Sequence, residues 1–199
     1  LMNVPTPLAF FPLTEGKTDS WPSGLYAGRN EGADWVEDDG TFGKVLTCDA
    51  SDNAFMALDP VPYAERGSFA VNFWIRQTQP SLGGTFEYVY SHSEDDGVPF
   101  SPWYPNQLHV YLPEISHPAH GVARVILKDS TDEYEGERSE TYLDSDGLVS
   151  DNDARDTPGH VDLEDGQWHM LTVTTRPDGG DGYAIFVDGI LGGANFLPK

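Results

Sequence analysis

Period-two alternation of apolar and polar side chains is the feature that most narrows what this chain can fold into. In SFAVNFWIRQ, residues 68 to 77, the side chains of Phe69, Val71, Phe73 and Ile75 fall on one side of an extended chain, and those of Ala70, Asn72, Trp74 and Arg76 on the other. The pattern returns in HMLTVTT, where Leu171 and Val173 alternate with Thr172 and Thr174, and in YAIFV, where Tyr183, Ile185 and Val187 alternate with Ala184 and Phe186. A strand with one apolar side must bury it against a second layer, so a chain made of such strands is committed to facing sheets. Helical spacing of apolar residues is scarce throughout.

Short alternating runs bounded by Gly, Pro, Asp and Asn predict strands over Leu8 to Leu13, Thr41 to Cys48, Ala54 to Leu58, Ser68 to Gln77, Phe86 to Ser91 and Gln107 to Leu112. Further strands are predicted over Gly121 to Leu127, Ser139 to Leu143, Trp168 to Thr175 and Tyr183 to Val187. Arg176 to Gly182, with Pro177 and three glycines, supplies a turn between the last two, and Asp188-Gly189 signals another tight turn. Residues 129 to 165 differ: acidic side chains crowd this stretch and apolar ones thin out, which predicts an acidic, loop-rich insertion with one strand embedded. The expected fold class is all-β, a two-sheet antiparallel β-sandwich of jelly-roll type. A chain of 199 residues fits a single domain, 1–199.

Charge narrows the partners. With 33 acidic residues against 11 basic ones the formal charge is −22, which repels the phosphates of nucleic acid and the anionic face of a bilayer. No apolar stretch approaches the roughly 20 residues of a membrane-spanning helix. The single cysteine, Cys48, precludes an internal disulfide, and its apolar run Val45-Leu46-Thr47-Cys48 reads as that of a buried small hydrophobe rather than a nucleophile. Hydrophobic residues make up only 38 %, but ten Phe, nine Tyr and five Trp supply the bulk to fill an interior.

The blocks SFAVNFWIR, GQWHMLTVT and GYAIFVDG, in that order, resemble laminin-G-like and pentraxin-like domains of the concanavalin-A-like lectin/glucanase superfamily. LAFFPLTEG and FGKVLTCDASDNAFMAL look like the first strands of the same family, and residues 93 to 160 match none of its blocks. The resemblance implies a concanavalin-A-like sandwich placed outside the cell or at its surface. It also implies at least one more core strand after the VDG hairpin than is evident here. On that footing the chain is expected to be an excerpt of a larger protein, lacking the final strand or strands.

Calcium is the expected ligand of the acidic clusters, because Ca²⁺ takes hard oxygen donors from loops. Asp52-Asn53 resembles the pair that pentraxin-like domains use for calcium, and reads equally as an Asx turn between Leu46 and Phe55. In YLDSDGLVSDND, residues 142 to 153, Asp144 and Asp146 precede Gly147 and Asp153 falls where a closing acid would stand, although Tyr142 occupies the first ligand position. The alternative is a solvated acidic loop. Trp103 and Tyr104 lie between prolines in PFSPWYPN, where a rigid loop either displays flat rings to a sugar or protein, or staples itself to the sheet.

Catalytic patterns are thin. The superfamily's glucanases carry Glu-x-Asp-x-x-Glu on a strand, and this sequence has no such segment. Glu133, Glu135 and Glu137 alternate, but in the most polar region, where nothing would desolvate a general acid. His117 and His120 flank Pro118 in a loop without a third ligand at metal spacing, and His169 reads as structural at a strand start. The expected function is therefore a non-enzymatic extracellular recognition or assembly module that binds glycan or a neighbouring protein, with Ca²⁺ among its ligands. A polysaccharide-active hydrolase or lyase on the same sandwich is the alternative.

Overall fold

A computed structural model describes residues 7, 9–14, 18–20, 24–37, 40–48, 54–59, 61, 68–79, 87–92, 107–116, 120–128, 140–144, 161–175 and 183–195. They fall into two compact units, Leu1–Gly67 and Ser68–Lys199.

The first unit holds two antiparallel ribbons. Strand β1 (Gly28–Glu31) pairs with β4 (Phe55–Leu58), and β2 (Asp34–Glu37) pairs with β3 (Lys44–Thr47). The sequences of β1 and β2, GRNE and DWVE, lack apolar alternation, and neither strand appeared among the sequence expectations. The ladder to a partner, rather than a buried face, is what makes them strands. The strand expected over Leu8 to Leu13 is not formed by the described residues of that stretch: Leu13 has a φ of +48°, which breaks an extended run, and pairing is confined to an isolated bridge between Thr14 and Val45. Cys48, expected inside, is exposed just beyond β3, where the alternation that buries Val45 has ended. Residual desolvation still pushes its thiol pKa up, which holds it in the unreactive protonated form.

The second unit is an antiparallel β-sandwich of jelly-roll type. One sheet has the order β12-β11-β10-β5, comprising β5 (Ala70–Ile75), β10 (His169–Thr175), β11 (Tyr183–Val187) and β12 (Ile190–Asn195). The other has the order β6-β7-β8-β9, comprising β6 (Glu87–His92), β7 (Gln107–Leu112), β8 (Arg124–Lys128) and β9 (Glu140–Asp144). The core lies between them. Leu171 and Val173 of β10 and Ile185 and Val187 of β11 meet Leu108, Val110 and Leu112 of β7 and Val125 of β8, with Val71, Phe73 and Ile75 of β5 packed alongside. At one margin the rings of Phe73 and Tyr90 stand 5.3 Å apart, joining β5 to β6. The alternation read from the sequence thus points its apolar set inward, as a half-buried strand requires.

Strand β12 follows the Asp188-Gly189 turn and was not anticipated. Both turn residues have positive φ, +53° and +78°, the signature of a two-residue type I′ hairpin, whose twist matches that of its strands. Β12 pairs with β11 through a register shift between Ile185 and Phe186. Leu163 is a core residue supplied by a turn: it is only 1 % exposed, and its amide donates to the Gly121 carbonyl at 2.8 Å.

Candidate functional site

Two regions of the second unit concentrate side chains that the core does not explain. The first is the outer face of the β12-β11-β10-β5 sheet. Because opposed residues share a face, the register Asn72–Thr172–Phe186–Leu191 forms one row across all four strands, and Trp74–Met170 forms part of the next. By strand geometry that longer row spans about 14 Å, and Trp74 stands about 7 Å along β5 from Asn72. Trp74 is 54 % exposed and Leu191 equally so. The Thr172 hydroxyl donates to Asn72 Oδ1 at 2.6 Å, which fixes the exposed amide by its oxygen. Among the described residues, the outward positions of these strands carry no ionisable side chain, in a chain with a net charge of −22. Just past β5, Arg76 lays its guanidinium over the Trp168 ring, 5.0 Å from the centroid.

The second region is the end of the sandwich at which β10 begins. His169 is buried there between two carboxylates: Nδ1 lies 2.8 Å from Asp188 Oδ2, and Nε2 lies 3.0 Å from Asp165 Oδ1. Asp188 reaches this position because its backbone turns the β11–β12 hairpin while its Oδ1 accepts the Met170 amide at 2.8 Å. Asp165 accepts the Gln167 amide at 2.7 Å through the same oxygen that faces His169. Burial acts to lower the His169 pKa, but the hydrogen bonds to Asp188 and Asp165 outweigh it and hold the imidazole above its ordinary value. The Gln167 amide and then His169 hold Asp165 below the usual carboxylate range. Burial acts to raise Asp188, and His169 and the Met170 amide overcome it, so the net direction is also downward. On the neighbouring turn His120 Nδ1 faces Glu164 Oε2 at 2.9 Å, with both side chains largely buried. Two histidines thus hold adjacent residues of this turn, His120 at Glu164 and His169 at Asp165.

Of the residues expected from the sequence to bind a ligand, Asp52, Asn53, Asp146, Asp153, Trp103 and Tyr104 lie outside the described residues. Asp144 is the last residue of β9, and its register partner is the cationic Arg124 of β8. Among the described residues, no group of three or more His, Cys, Asp or Glu side chains converges to hold a metal ion. His169 stands at a strand start, as expected, though its two carboxylate partners lie four and nineteen positions away and were not foreseen. The outer face was partly legible: the sequence put Asn72 and Trp74 on the second side of their strand, but the row through Thr172, Phe186 and Leu191 needs the register.

No family model matches the sequence, and no curated protein does. Among solved structures, the chain is similar to the binding domain of Paraclostridial Mosquitocidal Protein 1. The TM-score is 0.56 at 14 % sequence identity, over 90 % of this chain and 37 % of that one. That likeness is one of fold, an all-β arrangement of antiparallel sheets, and the chain spans well under half the length of the matched protein.

Proposed function

We propose that the chain is a non-catalytic recognition module that takes a neutral glycan on the outer face of the β12-β11-β10-β5 sheet. The observation that carries this reading is the combination of a half-exposed Trp74 with the oriented Asn72 amide on strand positions that bear no charge. A flat indole stacks on the C–H face of a sugar ring, and an amide beside it donates to hydroxyls. An anionic ligand would meet a strongly acidic chain, in which Arg76, the basic residue next to Trp74 on that side, is laid over the Trp168 ring. A cationic partner would want carboxylates there, and a purely apolar partner would strip water from the Asn72 N–H pair without supplying an acceptor.

The similarity in fold to a solved binding domain supports a recognition role. The order of the blocks SFAVNFWIR, GQWHMLTVT and GYAIFVDG supports membership of the laminin-G-like and pentraxin-like group within the concanavalin-A-like superfamily, and with it an extracellular setting.

The test is an array of neutral glycans, acidic glycans and proteins, probed with the labelled chain and with the double variant Trp74→Ala/Asn72→Ala. The reading expects neutral-glycan signals that fall at least about tenfold in the variant while its melting curve is kept, since a surface substitution leaves stability within ~0.5 kcal/mol. Glycan signals indifferent to the double variant, or none at all, would refute the site. Release of oligosaccharides in the same incubations would favour the hydrolase or lyase alternative.

A further inference from the structure

A carboxylate at neutral pH only accepts hydrogen bonds, and a neutral imidazole has one N–H and one lone pair. The two contacts of His169, 2.8 Å to Asp188 and 3.0 Å to Asp165, are therefore satisfied together only when the ring carries both protons. Loss of one proton leaves a ring nitrogen lone pair against a carboxylate, and one contact must open.

The two anchors differ in strength. Asp188 is tied to β10 independently of the ring, through Met170 N–H to its Oδ1 at 2.8 Å and through its own amide to the Met170 carbonyl at 2.9 Å. Asp165 shares a single oxygen between Gln167 N–H and His169, and its side chain is 43 % exposed. Asp188 is almost as exposed, at 39 %, so the asymmetry rests on its separate tie to β10, which keeps it in place whether or not the ring is protonated.

We propose that His169 is a proton-operated latch on the turn 162–167: as an imidazolium it bridges Asp165 and Asp188, and on losing a proton it lets the turn go at Asp165. Among the described residues, the charged groups around the ring are Asp165 from its approach, Asp188 from the β11–β12 hairpin and Arg76 from the end of β5, where it covers Trp168. Asp162 and Glu164 stand on the turn itself, Glu164 paired with His120. Trp168 and Met170, beside His169 in the chain, and Ile75, its register partner, are uncharged. Of these, Asp188 and Asp165 are the carboxylates that act on the ring, and both favour the cation. The raised folded-state pKa means that the latch is shut below 6.5 and opens as pH rises through the higher folded value.

Amide hydrogen exchange of Leu163 to Gln167 in the full chain, corrected for intrinsic rates and followed from about pH 5 to about pH 9, reads the latch directly. Protection of these amides should fall at least about tenfold across the titration of the His169 ring, seen by its own NMR signal, while Val173 and Ile185 stay unchanged. Asp165→Ala should abolish the step, because it removes the acceptor that the ring holds and releases. His169→Gln should abolish it too, with the turn unprotected at every pH. His120→Gln should leave the step in place. Flat protection in the wild type, a step that survives Asp165→Ala, or one that disappears only in His120→Gln would overturn the proposal.

Discussion

Gly121→Ala separates backbone strain from crowding at the turn that carries Leu163. Gly121 has a φ of +81°, and a methyl group there would meet Asp162 Oδ1 at 2.8 Å. Gly189, in the β11–β12 hairpin, has a similar φ of +78° but open space around the same position. Both variants pay the left-handed penalty of about 1–2 kcal/mol, offset by about 0.4–1 kcal/mol from a less flexible unfolded chain. Gly189→Ala should therefore cost between about 0 and about 1.6 kcal/mol. Gly121→Ala must in addition displace the Asp162 carboxylate, which accepts the Glu164 amide at 2.9 Å. Since that bond is solvent-exposed, its loss adds about 1 kcal/mol rather than the larger value of a buried charged bond. Urea unfolding of the wild type, both single variants and Gly121→Ala/Asp162→Ala measures these terms through the transition midpoint at constant slope. The extra loss in Gly121→Ala should shrink by about 1 kcal/mol in the Asp162→Ala background. Equal losses for the two glycines, or an extra loss that Asp162→Ala does not relieve, would refute the reasoning.

Leu163→Ala removes a side chain that is almost fully buried from a turn, and should cost about 2–5 kcal/mol in urea unfolding; a loss under ~1 kcal/mol would mean that the turn collapses to fill the space. The His169 cluster should stabilise the fold most between the ordinary carboxylate value of 3.8 and the ordinary imidazole value of 6.5. Its carboxylate part is lost as pH falls through the depressed values of Asp165 and Asp188, and its imidazole part as pH rises through the raised value of His169. The difference in melting temperature between wild type and His169→Gln, followed with pH, should trace that dome, and a flat difference would count against the ion-paired geometry. Millimolar Ca²⁺ should raise the melting temperature through Asp52, Asn53 and the carboxylates of 144 to 153, reversibly with chelator, whereas an unchanged curve would remove calcium from the account.

The sandwich was legible because its strands obey one local rule. Phe73, Leu171 and Ile185 each belong to an apolar set that recurs at every second position, and the inner faces of β5, β10 and β11 follow from that period. Elements without the rule were not legible: β1 and β2 are charged ribbons held by their partners, and β12, with Gly192 and Gly193 in its middle, has no alternation to read. The run from Leu8 to Leu13 carries the apolar content of a strand but ends on a left-handed leucine, which composition does not announce. The site was partly legible for the same reason. The sequence put Trp74 on the same side of β5 as Asn72, while its neighbours on the outer face come from β10, β11 and β12 and depend on register. The union of Asp165, His169 and Asp188 joins a turn, a strand start and a hairpin, and no sequence period links them.

Strand β5 pairs with β10, and the contact between Asn72 and Thr172 joins residues 100 positions apart. On a ribosome adding about 5–20 residues per second, β5 waits roughly 5–20 s before that partner has even been synthesised. Through that interval Val71, Phe73 and Ile75 form a ready-made sticky ribbon, and chaperone capture or β5-to-β5 pairing between nascent chains competes with correct closure. Any transcript truncated before His169 makes that interval permanent.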